Sequence, residues 1–419
     1  MKIKLLNSPS LLSIGGALSL QGFTLLTFML LARLLPAAQM GAWALWLTFV
    51  SIADMTRQGL LQNGLVRFSA KEPAAWAGWL TAAFALNSLA SLGLGLLLSA
   101  GAWLSGSFMH LPELQALAVL ALPFTLLQGL GRFAEAVQVT KRDFRGVLFA
   151  NSLNGATQFA LTGYCFLQKT PPSLMQLLGF QTLGLTLGVV LVTVFFRSHF
   201  AFGKFELEKM RELYRFGRYV AGTNFFSMLF QRLDTLLIGV FLTPASVALY
   251  NVATRLNGLL DLPLNSLSLA QFPVMAKSIA DGKPTPVVFN TTVRKLLFVQ
   301  GPLSILLIIF APQAVRILGG GNYAGAAVLL QVLALSGLVK PWGRSFGMTL
   351  DATGKSDMNF KMLLFSMAVN LVLMLSLLPA FGVTGAAVAA GLGILLTVGA
   401  GQWLLKRRFS QEQLELKLS

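Results

Sequence analysis

Apolar residues gather in long runs separated by short polar segments. Twelve runs are long enough, at about 20 mostly apolar residues, for a helix that crosses a membrane. They cover 11–34, 40–64, 76–99, 114–138, 146–168, 175–197, 216–242, 246–276, 295–318, 324–348, 361–381 and 384–405. The first follows Lys2 and Lys4, as a signal peptide would. It is too long for a signal h-region and lacks a small-x-small cleavage site, so it reads as a helix. The pattern predicts an all-α, multi-pass membrane protein of about 12 transmembrane helices.

The polar segments give the orientation. With the N-terminus in the cytoplasm, 22 of the 32 Lys and Arg residues fall on the cytoplasmic side, and only Arg33, Lys169 and Arg316 on the other. The positive-inside rule then places both termini in the cytoplasm. Ser198–Arg215 alternates charge (Glu206, Glu208, Lys209, Arg211, Glu212) and reads as an amphipathic helix on the membrane surface. It lies at mid-chain, which predicts an N-terminal six-helix half (1–197), a cytoplasmic amphipathic linker (198–215), a C-terminal six-helix half (216–405) and a cytoplasmic tail (406–419).

The halves echo each other. At an offset of 207, Gly15 matches Gly222, Gly41-x-Trp43 matches Ala248-x-Tyr250, and Asp54 matches Asp261. Gly131-Arg132 recurs as Gly343-Arg344, and Lys141-x-Asp143 as Lys355-x-Asp357, with the offset drifting to 212–214. Two halves that each start in the cytoplasm form a parallel repeat about an axis along the membrane normal.

Composition removes the other classes. The hydrophobic set makes up 55% of the chain and charged residues 11%, against ~25% charged in soluble domains. A soluble enzyme, a nucleic-acid partner and a disordered chain are excluded, although the formal charge is +17. One cysteine, Cys165, cannot form an intrachain disulfide, and His110 and His199 lie far apart in loops, so neither zinc nor iron is expected. Gly354-Lys355-Ser356 ends like a P-loop, but Thr349 stands where its first glycine belongs and no strand precedes it. No nucleotide or other cofactor is expected, nor enzyme activity.

The unexpected positions are charges inside the apolar runs. Arg57, Arg132, Arg218, Arg232, Arg255, Lys340 and Arg344 lie there with Asp54, Glu135, Asp234 and Asp261. Each costs roughly 2.5–3.5 kcal/mol at a helix centre, so eleven facing lipid would cost on the order of 30 kcal/mol. They must face water or protein. Gln128, Arg132 and Glu135 share a helical face, as do Ser336, Lys340 and Arg344, and Asn257, Asp261 and Asn265. Stripes from both halves are expected to line a central cavity.

Arg57, Arg132, Arg232, Arg255, Lys340 and Arg344 are the expected substrate-binding cations. Asp54, Glu135, Asp234 and Asp261 either couple transport to an ion gradient or neutralise neighbouring arginines. Arg218, within a turn of the cytoplasmic end, reads as a residue that snorkels, and Arg132 with Glu135 also reads as an internal i,i+3 pair. Trp43, Tyr250 and Trp342 read as packing or interfacial aromatics, and Gly184-x-x-x-Gly188 as a seam of close helix packing.

Leu30–Leu45 (L-L-A-R-L-L-P-A-A-Q-M-G-A-W-A-L) resembles the opening of the polysaccharide flippases of the multidrug/oligosaccharidyl-lipid/polysaccharide exporter superfamily. Phe216–Gly222 (F-G-R-Y-V-A-G), Arg232–Gly239 (R-L-D-T-L-L-I-G) and Ala248–Arg255 (A-L-Y-N-V-A-T-R) are similar to that family's central signature. Two departures stand out: no proline follows Phe216-Gly217, and Ala248 stands where Gly often precedes the tyrosine.

The resemblance implies alternating-access flipping of an undecaprenyl-pyrophosphate-linked oligosaccharide to the outer leaflet of a bacterial plasma membrane, for O-antigen, capsule or exopolysaccharide. Its partners would be that lipid-linked substrate, membrane lipids and glycan polymerase or synthesis proteins, with the chain itself a monomer. The surplus of in-span cations suits a pyrophosphate, for which the planar guanidinium is well matched. A multidrug antiporter of the same superfamily would favour an acidic, aromatic-lined cavity, and a non-transporting scaffold has no need of buried charge.

Overall fold

The computed structural model describes residues 9–108 and 112–418; His110 falls outside them. No strand occurs among the described residues, which form α1 (Pro9–Leu34), α2 (Ala37–Lys71), α3 (Trp76–Phe108), α4 (Pro112–Lys141), α5 (Arg145–Leu167), α6 (Leu174–Phe195) and α7 (Leu207–Phe241). There follow α8 (Pro244–Ala280), α9 (Thr285–Ile309), α10 (Ala311–Gly319), α11 (Ala326–Gly337), α12 (Lys340–Ala352) and α13 (Ser356–Leu418).

Each of the first eight apolar runs becomes one helix. The ninth is shared between α9 and α10, where Pro312 enters the first turn of α10 without an N–H to continue the ladder. The tenth divides ahead of Pro341, at the start of α12. The last two are the arms of α13, which turns at Gly382 with φ 59° and ψ −144°, a conformation strained for any residue with a Cβ. Local signals fix two starts. Ser173 and Gln176 form a capping box on α6, each side chain bonding the other's backbone (3.2 and 2.8 Å). Thr243 caps α8 by accepting from the Ser246 N–H (3.3 Å), with Pro244 in the first turn.

Six helical segments are long and apolar enough to cross a membrane among the described residues: Pro73–Phe108, Pro112–Lys141, Leu174–Phe195, Thr285–Ile309, Ala326–Ala352 and Asp357–Leu404. The long helices α2, α7 and α8 carry many of the charges that the sequence places inside spans. The chain is an all-α, multi-pass membrane protein.

Two compact units divide the chain, the first ending at Arg232 and the second starting at Leu233, inside α7. In the N-terminal unit α3 packs along α4, α1 along α5, α5 along α6, and α2 against both α3 and α4. Small residues permit the closest of these approaches, because association within a bilayer depends on van der Waals fit. A Cβ on Gly184 would lie 2.5 Å from Asn154 Oδ1 and one on Gly188 3.2 Å from the Ala150 carbonyl oxygen. The Gly184-x-x-x-Gly188 stripe is thus a packing seam between α6 and α5. In the C-terminal unit α8 packs against α9, α11 and α12, and α13 packs against α11 and α12. Phe289, Val293, Phe346, Leu350 and Met362 form a core there.

The segment 198–215 differs from the surface helix expected of it. Residues 200–206 are non-helical, and α7 starts at Leu207 and runs unbroken into the seventh span. Aromatic packing explains the first half. Phe202 stacks on Phe133 (6.2 Å between ring centres) and meets Phe84 edge-on (5.6 Å), while Phe200 lies 6.3 Å from Phe133. Gly203 donates to the Thr81 hydroxyl (3.0 Å), which donates to the Gly203 carbonyl (3.1 Å). The strap is therefore fastened to α3 and α4. The other charged residues of the second half stand on the first turns of α7, where Lys209 pairs with Glu206, just ahead of the helix (2.6 Å), and Arg211 with Glu208 (3.0 Å).

Candidate functional site

In the N-terminal unit, Asp54 and Arg57 lie one turn apart on α2, and Arg132 and Glu135 one turn apart on α4. Packing of α2 on α4 brings all four into one network. Arg57 donates to Asp54 Oδ1 (2.7 Å) and Gln128 Oε1 (2.9 Å) through Nη2, and to the Thr125 carbonyl (3.0 Å) and Ser91 Oγ (3.4 Å) through Nη1. Arg132 holds both Asp54 oxygens through Nε (3.1 and 2.9 Å), one again through Nη2 (2.5 Å), and Glu135 through Nη1 (2.5 Å).

Arg57 is 1% exposed. A lone buried guanidinium would be prohibitive, so the carboxylate, amide, hydroxyl and carbonyl around it are what make its burial tolerable. With two cations and two carboxylates the network is neutral. Both terminal nitrogens of Arg57 are engaged and its side chain is buried away from any ligand, whereas Arg132 and Glu135 are half-buried beside a cavity of about 150 Å³ within the unit.

The C-terminal unit holds a simpler arrangement. Lys340 Nζ meets Asp261 Oδ1 at 2.7 Å, with the lysine side chain 20% and the aspartate 37% exposed. One turn further on, Arg344 donates to the side-chain oxygen of Asn265. Arg344 is exposed and makes no ion pair among the described residues; with Asn265, Ser268, Asn359 and Asp351 it lines a cavity of about 560 Å³.

The remaining expected positions lie elsewhere. Asp234 accepts from the Tyr250 hydroxyl (2.6 Å) and the Thr235 N–H (2.8 Å), so Tyr250 is a hydrogen-bonding partner as well as a buried aromatic. Arg232 lies half-buried at the end of the N-terminal unit, and Arg255 half-buried on α8. Arg218 is exposed, bonded to Tyr219 Oη (2.9 Å) and stacked over that ring, as befits a snorkelling residue.

Sequence reading missed Ser91, which supports Arg57, and Asn87, which donates to the Gly129 carbonyl at 3.1 Å. It also missed the amides Asn151, Asn154, Gln158 and Gln181 beside the N-terminal cavity. Their signal was present: Asn151, Asn154 and Gln158 share one face of an apolar helix, but neutral amides do not stand out as charges do.

Residues 30–329 match the family described as polysaccharide biosynthesis protein. Among curated proteins, the probable low-salt glycan biosynthesis flippase Agl15 of Haloferax volcanii is 22% identical over 184 residues, 43% of this chain and 39% of that protein. The chain spans between 32% and 40% of the length of the first curated relatives that it matches. Among solved structures, the lipid II flippase MurJ in an inward closed conformation aligns with a TM-score of 0.76 at 15% identity, over 94% of this chain and 87% of MurJ. An inward-facing multidrug resistance MATE family transporter of the MOP superfamily aligns at 0.73 and 12%, over 93% and 94%. At these identities the likeness is one of fold.

Proposed function

The chain belongs to the polysaccharide biosynthesis protein family, and from that membership we propose that it is a non-enzymatic transporter of a lipid-linked glycan. Its substrate is an undecaprenyl-pyrophosphate-linked oligosaccharide, carried by alternating access from the cytoplasmic to the outer leaflet of a bacterial plasma membrane. Both termini face the cytoplasm, as the asymmetry of the basic residues supports, and the glycan goes to O-antigen, capsule or exopolysaccharide synthesis.

The observation that carries the step from family to substrate is Arg344. Its guanidinium borders a 560 Å³ cavity and is held by a neutral amide rather than a carboxylate, which leaves its charge for an anionic headgroup. Lys340, one turn away, adds a cation already shared with Asp261. Arg232 and Arg255 are retained as secondary candidates. In the N-terminal unit the cations are neutralised in place, so Arg57 and Arg132 are assigned to holding the network together. Asp261, bound to a single lysine, is assigned to ion coupling ahead of Asp54, Glu135 and Asp234.

Proteoliposomes loaded with a short-chain fluorescent polyprenyl-pyrophosphate saccharide test the reading. The full-length protein should speed its appearance in the opposite leaflet, and Arg344→Ala should slow flipping at least tenfold while Arg344→Lys restores part of it. Movement of ethidium against an imposed gradient, with no effect on the lipid-linked saccharide, would establish the antiporter alternative instead.

A further inference from the structure

The cavity of the N-terminal unit has a lining that neither a phosphate nor a cation explains. Asn151, Asn154 and Gln158 from α5, Gln181 from α6, and Arg132 and Glu135 from α4 contribute its polar groups. Gln158 donates to Asn154 Oδ1 at 2.9 Å, which sets those two amides side by side. Gln138, fully buried, lines the same cavity with both amide atoms lacking a hydrogen-bond partner, and the buried Gln181 Oε1 lacks one too. Buried amides without partners are uncommon and call for an occupant that can hydrogen-bond.

Charge narrows the occupant. The guanidinium of Arg132 is committed to Asp54 and Glu135, and the whole network is neutral. An anion would find no spare cation. A metal ion would compete with guanidinium for both carboxylates, and no cluster of three acidic, histidine or cysteine side chains suited to a metal occurs among the described residues. Size narrows it further. About 150 Å³ is room for several waters, too much for one ion and of the order of one sugar ring. Each carboxamide offers a donor and an acceptor, as each hydroxyl does. Phe124, Leu185 and Val189 supply apolar wall for the carbon face of such a ring.

We infer that the N-terminal unit holds a binding site for one neutral sugar ring of the transported glycan, formed by the amides of α5 and α6 beside the Arg132–Glu135 pair. This rests on the transport reading above, and it divides recognition: neutral saccharide by the N-terminal unit, pyrophosphate by Arg344 of the C-terminal one.

Saturation-transfer NMR on the full-length protein, in a detergent without a sugar headgroup, tests it directly. The probes are the methyl glycosides of glucose, galactose, mannose and N-acetylglucosamine, each with and without inorganic pyrophosphate. At least one glycoside should receive saturation that pyrophosphate leaves intact. Asn151→Leu and Gln158→Leu should each lower that signal at least fivefold. Leucine is well tolerated in a membrane helix, and Gln181→Leu on α6 gives a third variant should either α5 change reduce yield. No signal from any glycoside, a signal unchanged in all folded variants, or one abolished by pyrophosphate would each overturn the site. The transport reading fails separately: sugar binding with no flipping removes the flippase, and flipping with no sugar binding removes only this site.

Discussion

Arg132 closes on Asp54 with three hydrogen bonds of 2.5–3.1 Å across a separation of 78 residues. Lys340 closes on Asp261 at 2.7 Å across a separation of 79. The same acid-to-base bridge thus joins the second and fourth spans of the N-terminal unit and the second and fourth spans of the C-terminal unit. By this contact the counterpart of Arg132 is Lys340, one helical turn from the Arg344 with which the Gly-Arg repeat aligns it. At the same offsets Leu264 stands for Arg57 and Gly343 for Glu135. The C-terminal copy keeps the bridge and lacks the second cation and second acid, which leaves room beside it for an unneutralised Arg344.

Because Arg57 is buried and Asp54 serves two guanidiniums, Asp54→Asn should be severe. Removing one partner of a buried ion pair costs about 3–5 kcal/mol. Lys340→Met breaks a pair that water reaches (20% and 37% exposed) and should cost about 1 kcal/mol or less. Thermal unfolding in detergent should show a large fall in Tm for the first and a small one for the second. The double change Asp54→Leu/Arg57→Met should recover part of the loss, since it removes the buried Arg57 guanidinium, while the half-buried Arg132 loses Asp54 and keeps Glu135. Equal effects of Asp54→Asn and Lys340→Met would contradict this ranking.

Gly217 tests how closely α7 rides on α2. A Cβ there would lie 2.2 Å from the Leu60 carbonyl oxygen, which is backbone and cannot rotate away. Gly217→Ala should destabilise by about 1–3 kcal/mol through overpacking. Gly222, five residues on, has nothing within 4 Å of its would-be Cβ, and Gly222→Ala should be neutral or stabilise by up to about 1 kcal/mol through helix propensity. The comparison can be read from Tm alone, and a reversed order would mean that α7 lies further from α2 than described.

The fold was legible because the twelve apolar runs are long and the punctuation between most of them is charged. Where it was not, the causes are specific. Residues 198–206 resemble a solvated linker by their neighbours' charge, yet Phe200 and Phe202 alternate in an extended segment and find a pocket between Phe84 and Phe133 that no local pattern announces. The ion pairs were half legible. The i,i+3 spacing of Arg132 and Glu135 gave their contact, whereas the Asp54–Arg132 bridge depends on how α2 crosses α4. Tyr250 was read as an aromatic alone because its partner, Asp234, lies on another helix.

The strap should respond to pH through His199. Burial pushes its imidazole below the usual range, with Lys141 and Arg145 adding to the shift and Asp143 opposing it. A histidine depressed in the folded state contributes stability above its unfolded pKa of about 6.5 and loses it as pH falls through the folded value. Arg145 holds the Asp143 carboxyl below its ordinary range, so that group stays charged through the window in which the imidazole titrates. Amide hydrogen exchange over 197–206, corrected for intrinsic rates, should therefore accelerate as the pH falls below about 6.5. In His199→Gln the protection should be flat over that range; a matching loss in the variant would assign the change to another group.

Asp261 should carry the energy coupling. Asp54 is bound by two guanidiniums that stay charged at any physiological pH, so it has little freedom to take up a proton or sodium ion. Asp261 has one lysine partner, its carboxylate is 37% exposed, and its bridge can open by a rotation of the flexible Lys340 stem. Each elementary charge moved through the membrane field gains about 2.3 kcal/mol per 100 mV, enough to bias two states about fiftyfold. In proteoliposomes an imposed pH or sodium gradient should speed flipping by the wild-type protein. Asp261→Asn should keep the rate without a gradient and lose the acceleration, while Asp54→Asn should lower the amount of folded protein before any change in coupling appears. Wild-type rates that ignore both gradients would make Asp261 a neutralising partner of Lys340 and leave downhill movement of the substrate as the driving force.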